Sequence, residues 1–223
     1  TTEIYTLSLH DALPIFGGTV ESYFASFEDE AIAAGSIAQV HAATLLDGRD
    51  VIVKVRRPGI ERIVDADLRL LRRVARIAER RIPEIARLKP DELLRHFAES
   101  IDREMDLGAE ARASDTIGEY LKAFGVRTAR FDWELSGRRV NIQERFRGLA
   151  ASDLEAARQG DLDLTSLAST YAQAILHMIV INGHFHADPH PGNVFFLEDG
   201  TLALIDFGAV GTPLPRQVGR QHA

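Results

Sequence analysis

The alternation of apolar and polar positions predicts three strands over residues 31–57. Ala31 to Gly35 leads into Ser36-Ile37-Ala38-Gln39-Val40-His41-Ala42-Ala43, Asp47-Gly48 makes a turn, and Val51-Ile52-Val53-Lys54-Val55 is β-branched almost throughout. Over residues 59–82 the period changes to that of a helix. Ile60, Ile63, Val64, Leu70, Leu71, Val74, Ile77 and Ala78 form a stripe, ringed by Arg62, Arg69, Arg72, Arg73, Arg76, Arg80 and Arg81. A solvated or partner-facing helix is the plain expectation, and contact with an anionic membrane surface the sharper one. Pro90-Asp91-Glu92 opens a second helix over 90–122, through Leu94, Phe97, Ile101 and Met105 to Ala113, Ile117, Tyr120 and Leu121, which Gly108 is expected to bend or divide. Residues 125–148 predict two more strands of the same sheet. These are Val126 to Trp133 and Arg139 to Phe146, joined at Ser136-Gly137 and followed by a hinge at Gly148. Residues 163–183 predict a helix capped by Asp163 or Thr165 and ended by Asn182-Gly183, with Leu167, Tyr171, Ala174, Ile175, Met178 and Ile179 as its stripe. Val194 to Leu197 and Thr201 to Ile205 then flank Glu198-Asp199-Gly200, a hairpin signal.

That hairpin brings chemistry together. Asn193 stands at one end, and Asp206-Phe207-Gly208 returns beside it. Asp188 precedes Asn193 by five positions, the offset of the protein-kinase catalytic loop H-R-D-x-x-x-x-N. In kinase chemistry the loop Asp accepts the proton of the attacking hydroxyl, and the Asn and the later Asp hold Mg²⁺ on the nucleotide phosphates through hard oxygen donors. Asp and Asn in a Pro/Gly-rich loop ordinarily serve turns, and Pro189 and Pro191 do keep this segment out of helix. The combination of loop, hairpin and Asp-Phe-Gly is far rarer than any of its parts.

Upstream, Lys54 interrupts a β-branched run. An exposed edge is the ordinary reason for such a lysine. The turn Ala33-Ala34-Gly35-Ser36 favours the other reason, an anion, because small residues let backbone N–H groups approach phosphates. No G-x-x-x-x-G-K-[ST] occurs, which excludes a P-loop protein. Asp106 and Glu110 are four apart and repel on a helix. Glu110 shares a face with Ala113 and Ile117, so its carboxylate needs a cation, and Lys54 is the one lysine in a predicted strand.

Composition narrows the classes. The chain has 223 residues, 45% hydrophobic and 26% charged, with no cysteine and a formal net charge of -7. Disulfides and Cys-based metal sites are excluded, and general nucleic-acid affinity is not suggested. There is no secretory signal pattern, and no uninterrupted run of 18 apolar residues that predicts a membrane span. Residues 1–16 contain L-S-L-H-D-A-L-P-I, which resembles translated sequencing-adaptor read-through; they are expected to be non-native or disordered.

With these motifs the chain resembles the UbiB family of atypical kinases, also called the aarF-domain or ADCK family. The carrying stretches are A-A-G-S-I-A-Q-V-H (33–41), V-I-V-K-V-R-R-P-G (51–59), E-M-D-L-G-A-E-A (104–111), F-H-A-D-P-H-P-G-N (185–193) and L-I-D-F-G (204–208). The resemblance implies an α+β, atypical protein-kinase-like bilobal fold with a small antiparallel-sheet lobe and a helical lobe. It implies lobes over 17–148 and 149–223, with the C-terminal part truncated and the chain a fragment. It implies ATP with Mg²⁺, and a role supporting ubiquinone (coenzyme Q) or related prenyl-lipid biosynthesis through proteins or lipids at a membrane. A cytoplasmic, membrane-peripheral location is the matching expectation. Residue by residue, the resemblance makes Ile32, Ala33, Ala34, Gly35, Ser36, Ile37, Ala38, Gln39 and Val40 the nucleotide loop. It makes Lys54 the phosphate lysine, Glu110 its helix partner, and Glu104 and Asp106 the family's E-x-D motif. Asp188 is then the catalytic Asp, with Asn193 and Asp206 as metal ligands. The family's K-x-G-Q motif is absent, and Gly35 stands where the family usually has alanine.

Two rival readings compete. His184, His186, Asp188 and His190 form H-x-H-x-D-x-H, similar to a metallo-β-lactamase zinc motif with one residue inserted. A nucleotide-switched pseudokinase that binds partners without catalysis would use the same ligands as the enzyme.

Overall fold

The computed structural model describes residues 18–159 and 162–212, so the expectation for residues 1–16 falls outside the described residues. In chain order its strands and helices are β1 (Phe24–Phe27), β2 (Ala33–Ala34), β3 (Ala38–Leu45), β4 (Asp50–Arg56), α1 (Ile60–Arg81), α2 (Pro83–Arg87), α3 (Pro90–Glu104), α4 (Leu107–Leu121), β5 (Arg127–Thr128), β6 (Val140–Glu144), β7 (Gly148–Ala150), α5 (Leu154–Gln159), α6 (Leu164–His177), β8 (Phe185–His186), β9 (Val194–Leu197), β10 (Leu202–Leu204) and β11 (Val210–Gly211). The described residues form two compact units, one of residues 18–111 with Arg130–Arg145, the other of Arg112–Ala129 with the described residues from Phe146 onward.

The first unit is built on an antiparallel sheet of order β1-β3-β4-β6, with β2 on β3. Its strands form because one side of each alternates into a core. Val51, Val53 and Val55 of β4 and Val140 and Ile142 of β6 are buried there with Val20, Phe24, Ala43 and Leu45. The register pairs Lys54 with Asn141 and Val53 with Ile142. The predicted Asp47-Gly48 turn is present, with Gly48 at φ 89. The Asp47 carboxylate accepts from the Arg49 backbone N–H at 3.0 Å and from its guanidinium, which together hold that carboxyl below its ordinary value.

The predicted helix at 59–82 is α1, but most of its stripe stays uncovered. Leu68 is buried, whereas Ile63, Leu70, Leu71, Val74 and Ile77 are exposed. The predicted helix at 90–122 is divided, though not at Gly108. It breaks at Met105-Asp106, because the Asp106 carboxylate accepts the Ala109 N–H at 3.0 Å and so starts a new helix, α4. Gly108 lies buried inside that first turn.

The expectation of two further strands of the same sheet over 125–148 is corrected in part. β6 joins the first sheet, but β5 pairs in parallel with β10 in the second unit. The reason is burial: Val126 belongs to the second core, beside Ile117 and Leu121. Only after Ala129 does the chain return to β6, through Glu144 N–H to Arg130 O at 2.8 Å and Asp132 N–H to Ile142 O at 2.9 Å. Residues 112–129 and 146–148 belong to the second unit.

The second unit carries a sheet of order β5-β10-β9-β7, a β8–β11 pair, and α6. Ile117, Leu121, Val126, Ala174, Met178, Val194, Leu202, Leu204 and Phe207 form its buried core. At Gly148, the expected hinge, β7 pairs with Leu197 of β9 so closely that a side chain would run into the Phe196 carbonyl. Asp163, not Thr165, caps α6 by accepting the Ser166 N–H at 3.0 Å. The last turn of that helix widens to a π turn, Met178–Asn182, and ends at Gly183 with φ 64. Among the described residues one segment, Leu164–Asn182, is long and apolar enough to cross a membrane by length and composition alone, although polar residues interrupt it. Ala174 and Met178 on it are core residues of the second unit, while Leu176, Val180 and Ile181 are exposed.

Candidate functional site

In the first unit, strand alternation decides where Lys54 points. Val53 and Val55 take the core face, so Lys54 leaves from the other. There its Nζ donates to both carboxylate oxygens of Glu110, at 2.9 and 2.8 Å. Glu110 is in the first turn of α4, fixed there by the Asp106 cap. The two side chains are 18% and 6% exposed, so the pair is charge-compensated away from bulk water.

The predicted nucleotide loop folds back on the same sheet. Ile32 N–H donates to Val40 O, and Gly35 N–H to Ala38 O, both at 2.9 Å. Ile32, Ala33, Ala34, Gly35 and Ser36 are exposed, Ile37 and Val40 half-buried, and Ala38 and Gln39 buried. Arg57 fixes the turn by donating through Nε to Gly35 O at 3.0 Å, a support that the sequence reading missed. Of the E-x-D pair, Asp106 caps α4 and Glu104 stands exposed at the end of α3.

In the second unit, β8 delivers the chain into the loop, and Pro191–Asn193 form a single 3₁₀ turn before β9. Asp188 is exposed. Its backbone carbonyl accepts the His190 N–H at 2.8 Å and the Asn193 Nδ2 at 3.2 Å, and its Oδ2 lies 3.4 Å from the same nitrogen. That leaves the Asn193 amide oxygen as the atom available to a cation. The hairpin closes as expected, with Ile205 N–H donating to Asn193 O at 3.0 Å, which sets Asp206 one residue beyond the Asn193 backbone. Asp206 takes φ 59, unusual for a residue with a side chain, and its Oδ1 accepts the Gly208 N–H at 3.3 Å. In this conformation Phe207 is buried while the Asp206 carboxylate is exposed.

His186 supports both acids, a role that sequence reasoning missed. It is 3% exposed, and its ring meets Phe207 with centroids 4.9 Å apart. Nε2 pairs with Ile205 O at 3.0 Å, and Nδ1 accepts the Asp188 N–H at 3.2 Å. One ring therefore ties the residue before Asp206 to the backbone of Asp188. Both nitrogens are used, which argues against the zinc reading of H-x-H-x-D-x-H. His190 is engaged as well, with Nδ1 accepting the Gly192 N–H at 3.0 Å. The available signal for His186 was its place two residues before Asp188.

A strand lysine paired to a helix glutamate, with an H-x-D-x-x-x-x-N loop leading through a hairpin to Asp-Phe-Gly, defines a kinase-like class of protein. The family described as ABC1 atypical kinase-like domain matches residues 14–220, and the chain belongs to that family. It is 33% identical over 221 residues to an uncharacterized protein of Mycobacterium tuberculosis (strain ATCC 25618 / H37Rv), covering 97% of this chain and 44% of that protein. It is 35% identical over 204 residues to the probable protein kinase UbiB of Marinobacter nauticus, covering 89% of this chain and 37% of that one. The chain thus spans less than half the length of these curated relatives. Among solved structures, a complex of Rv3197 with erythromycin from Mycobacterium tuberculosis matches with a TM-score of 0.74 and 30% identity, over 92% of this chain and 51% of that one.

Proposed function

We propose that the chain is the nucleotide-handling part of an atypical kinase or ATPase of the UbiB type, working with ATP and Mg²⁺. The observation that carries this reading is the Lys54–Glu110 pair at 2.8 and 2.9 Å. A structural ion pair needs neither a small-residue turn on the neighbouring strands nor an Asp-Phe-Gly acid; a phosphate site uses all three. The donor set fits the cofactors. The carboxylates of Asp188 and Asp206 are exposed, and Asn193 adds an amide oxygen, all hard donors suited to Mg²⁺.

In this reading Lys54 meets phosphate oxygens while Glu110 fixes its ammonium, and residues 32–40 cover the nucleotide. Asn193 and Asp206 hold the metal. Asp188 accepts or orients the proton of an attacking hydroxyl or water. Bound Mg·ATP supplies the transferable phosphoryl group with its charge partly neutralised. Glu104 and Asp106 tune the site through the start of α4. The family resemblance further supports a role in ubiquinone or related prenyl-lipid biosynthesis. The arginine-flanked, exposed apolar face of α1 supports work beside an anionic membrane surface.

The test is calorimetry of Mg·ATP binding. Lys54→Ala is expected to weaken affinity by about tenfold, the order of one charge-assisted hydrogen bond. Asp206→Asn is expected to abolish the Mg²⁺ dependence of binding. Unchanged affinity in both variants defeats the nucleotide reading. Intact binding without turnover in the full-length protein, under any lipid or acceptor condition, replaces the enzyme with a nucleotide-switched pseudokinase.

A further inference from the structure

Asn141 is out of place by the ordinary rules of a strand. It lies in the middle of β6, flanked by the buried Val140 and Ile142, and is itself 0% exposed. Asparagine is disfavoured in strands, and a buried amide is costly unless both of its ends are satisfied. Here only one end is: Nδ2 donates to Leu107 O at 2.6 Å, while Oδ1 has no partner among the described residues. An apolar residue would avoid that cost.

The register gives the side chain a purpose. Asn141 is paired directly with Lys54 across β4 and β6, so the two side chains leave the sheet on one face as neighbours. Both reach the same turn of α4. Lys54 takes the carboxylate of Glu110, and Asn141 takes the carbonyl of Leu107, three residues earlier. The Leu107 carbonyl already belongs to the ladder of α4, so the amide bond rescues no orphaned backbone group. It works as a tether. Two further ties converge on this end of the helix. Leu107 N–H donates to Arg138 O at 3.2 Å, and the buried Arg56 donates to Met105 O at 2.7 Å while also holding the Glu61 carboxylate. Of the three ties, the Asn141 tether alone starts at the residue paired with Lys54.

We infer that Asn141 is a positioning residue that clamps the first turn of α4 to the sheet, so that Glu110 meets Lys54 before any ligand arrives. What the pair then does rests on the nucleotide reading above; the clamp itself does not.

The chain has only three lysines, Lys54, Lys89 and Lys122, and this gives a test independent of nucleotide. Lys89 and Lys122 are 68% and 70% exposed and serve as internal references. Limited acetylation with acetic anhydride, read by mass spectrometry, reports how well Glu110 shields Lys54. Asn141→Leu is expected to raise Lys54 acetylation relative to both references by about five- to tenfold, the population change one net hydrogen bond supports. Asn141→Ala guards against overpacking by the larger side chain and should act in the same direction. In a Glu110→Gln background, Asn141→Leu should add nothing, because its effect passes through the pair. Equal labelling in the wild type and both variants overturns the inference. So does a rise at all three lysines, or a full additional rise in the Glu110→Gln background, since either marks a merely structural residue. Should the labelling respond as expected while Mg·ATP affinity stays the same in Asn141→Leu and Lys54→Ala, the clamp stands and the nucleotide reading falls.

Discussion

The two groups of charged residues are held in opposite ways. In the first unit, Lys54 and Glu110 are 18% and 6% exposed and satisfy each other at 2.8 Å. In the second unit, Asp188 and Asp206 are exposed, and it is backbone that fixes their places, through His186, the β9–β10 ladder and a left-handed Asp206. A buried charge pair is part of the fold, and halving it strands a charge. An exposed carboxylate on a braced loop contributes little to stability and keeps its oxygens toward solvent. A side chain of the first kind should therefore reveal itself in stability, and one of the second kind in chemistry.

The largest effect should come from splitting the pair. Lys54→Met leaves Glu110 buried without its cation and is expected to cost about 3–5 kcal/mol in urea unfolding. The double variant Lys54→Met, Glu110→Leu should recover most of that loss, because no charge remains stranded. A double variant no more stable than Lys54→Met would show that the pair itself, rather than its imbalance, holds this unit together.

Asp188→Asn should do the reverse. It keeps the shape of the side chain, and at an exposed position it should change unfolding free energy by less than about 0.5 kcal/mol. If Asp188 handles the proton of the attacking group, turnover in the full-length protein falls by about 10²-fold or more while ATP affinity holds, since the role belongs to the transition state. Wild-type turnover in this variant removes Asp188 as the base.

The same contrast explains what was legible in the sequence. Lys54 stood out as a charge in a β-branched run, and Glu110 as an acid on an inward face, because burying a charge demands a partner that pattern can name. The hairpin was legible because Asp199-Gly200 is local turn chemistry, and Gly200 does take φ 80. The break at Met105-Asp106 was misplaced at Gly108 because glycine is a general signal, whereas the Asp106 cap needs only one hydrogen bond that spacing does not reveal. The split of residues 126–133 between two sheets was illegible because Val126 and Ala129 look the same whichever core takes them. Asn141 was passed over, and His186 was weighed only as a zinc ligand, because their roles depend on cross-strand register and on backbone carbonyls that no side-chain pattern encodes.

The smallest predicted effect tests whether side-chain charge matters at all in the second unit, or whether backbone geometry suffices. Asp199, in the turn between β9 and β10, accepts the Thr201 hydroxyl at 2.6 Å and the Thr201 N–H at 3.0 Å, with the Arg127 guanidinium 3.5 Å away. These donors hold its carboxyl below the usual 3.8, the Thr201 hydroxyl contributing most. A carboxyl lowered in the folded state stabilises above its unfolded value, and that contribution is lost as pH falls through the folded one. Asp199→Asn keeps an acceptor for Thr201 and removes only the charge. At neutral pH it should unfold slightly more easily than wild type, and the two should converge as pH drops below 3.8. Because the carboxylate is exposed and screened, the neutral-pH difference should also shrink in high salt. Thermal unfolding between neutral pH and pH 3, at low and high salt, measures both. Identical melting at every pH would assign the turn to the positive φ of Gly200 alone, and the second unit would then place Asn193 and Asp206 by backbone geometry without help from charge.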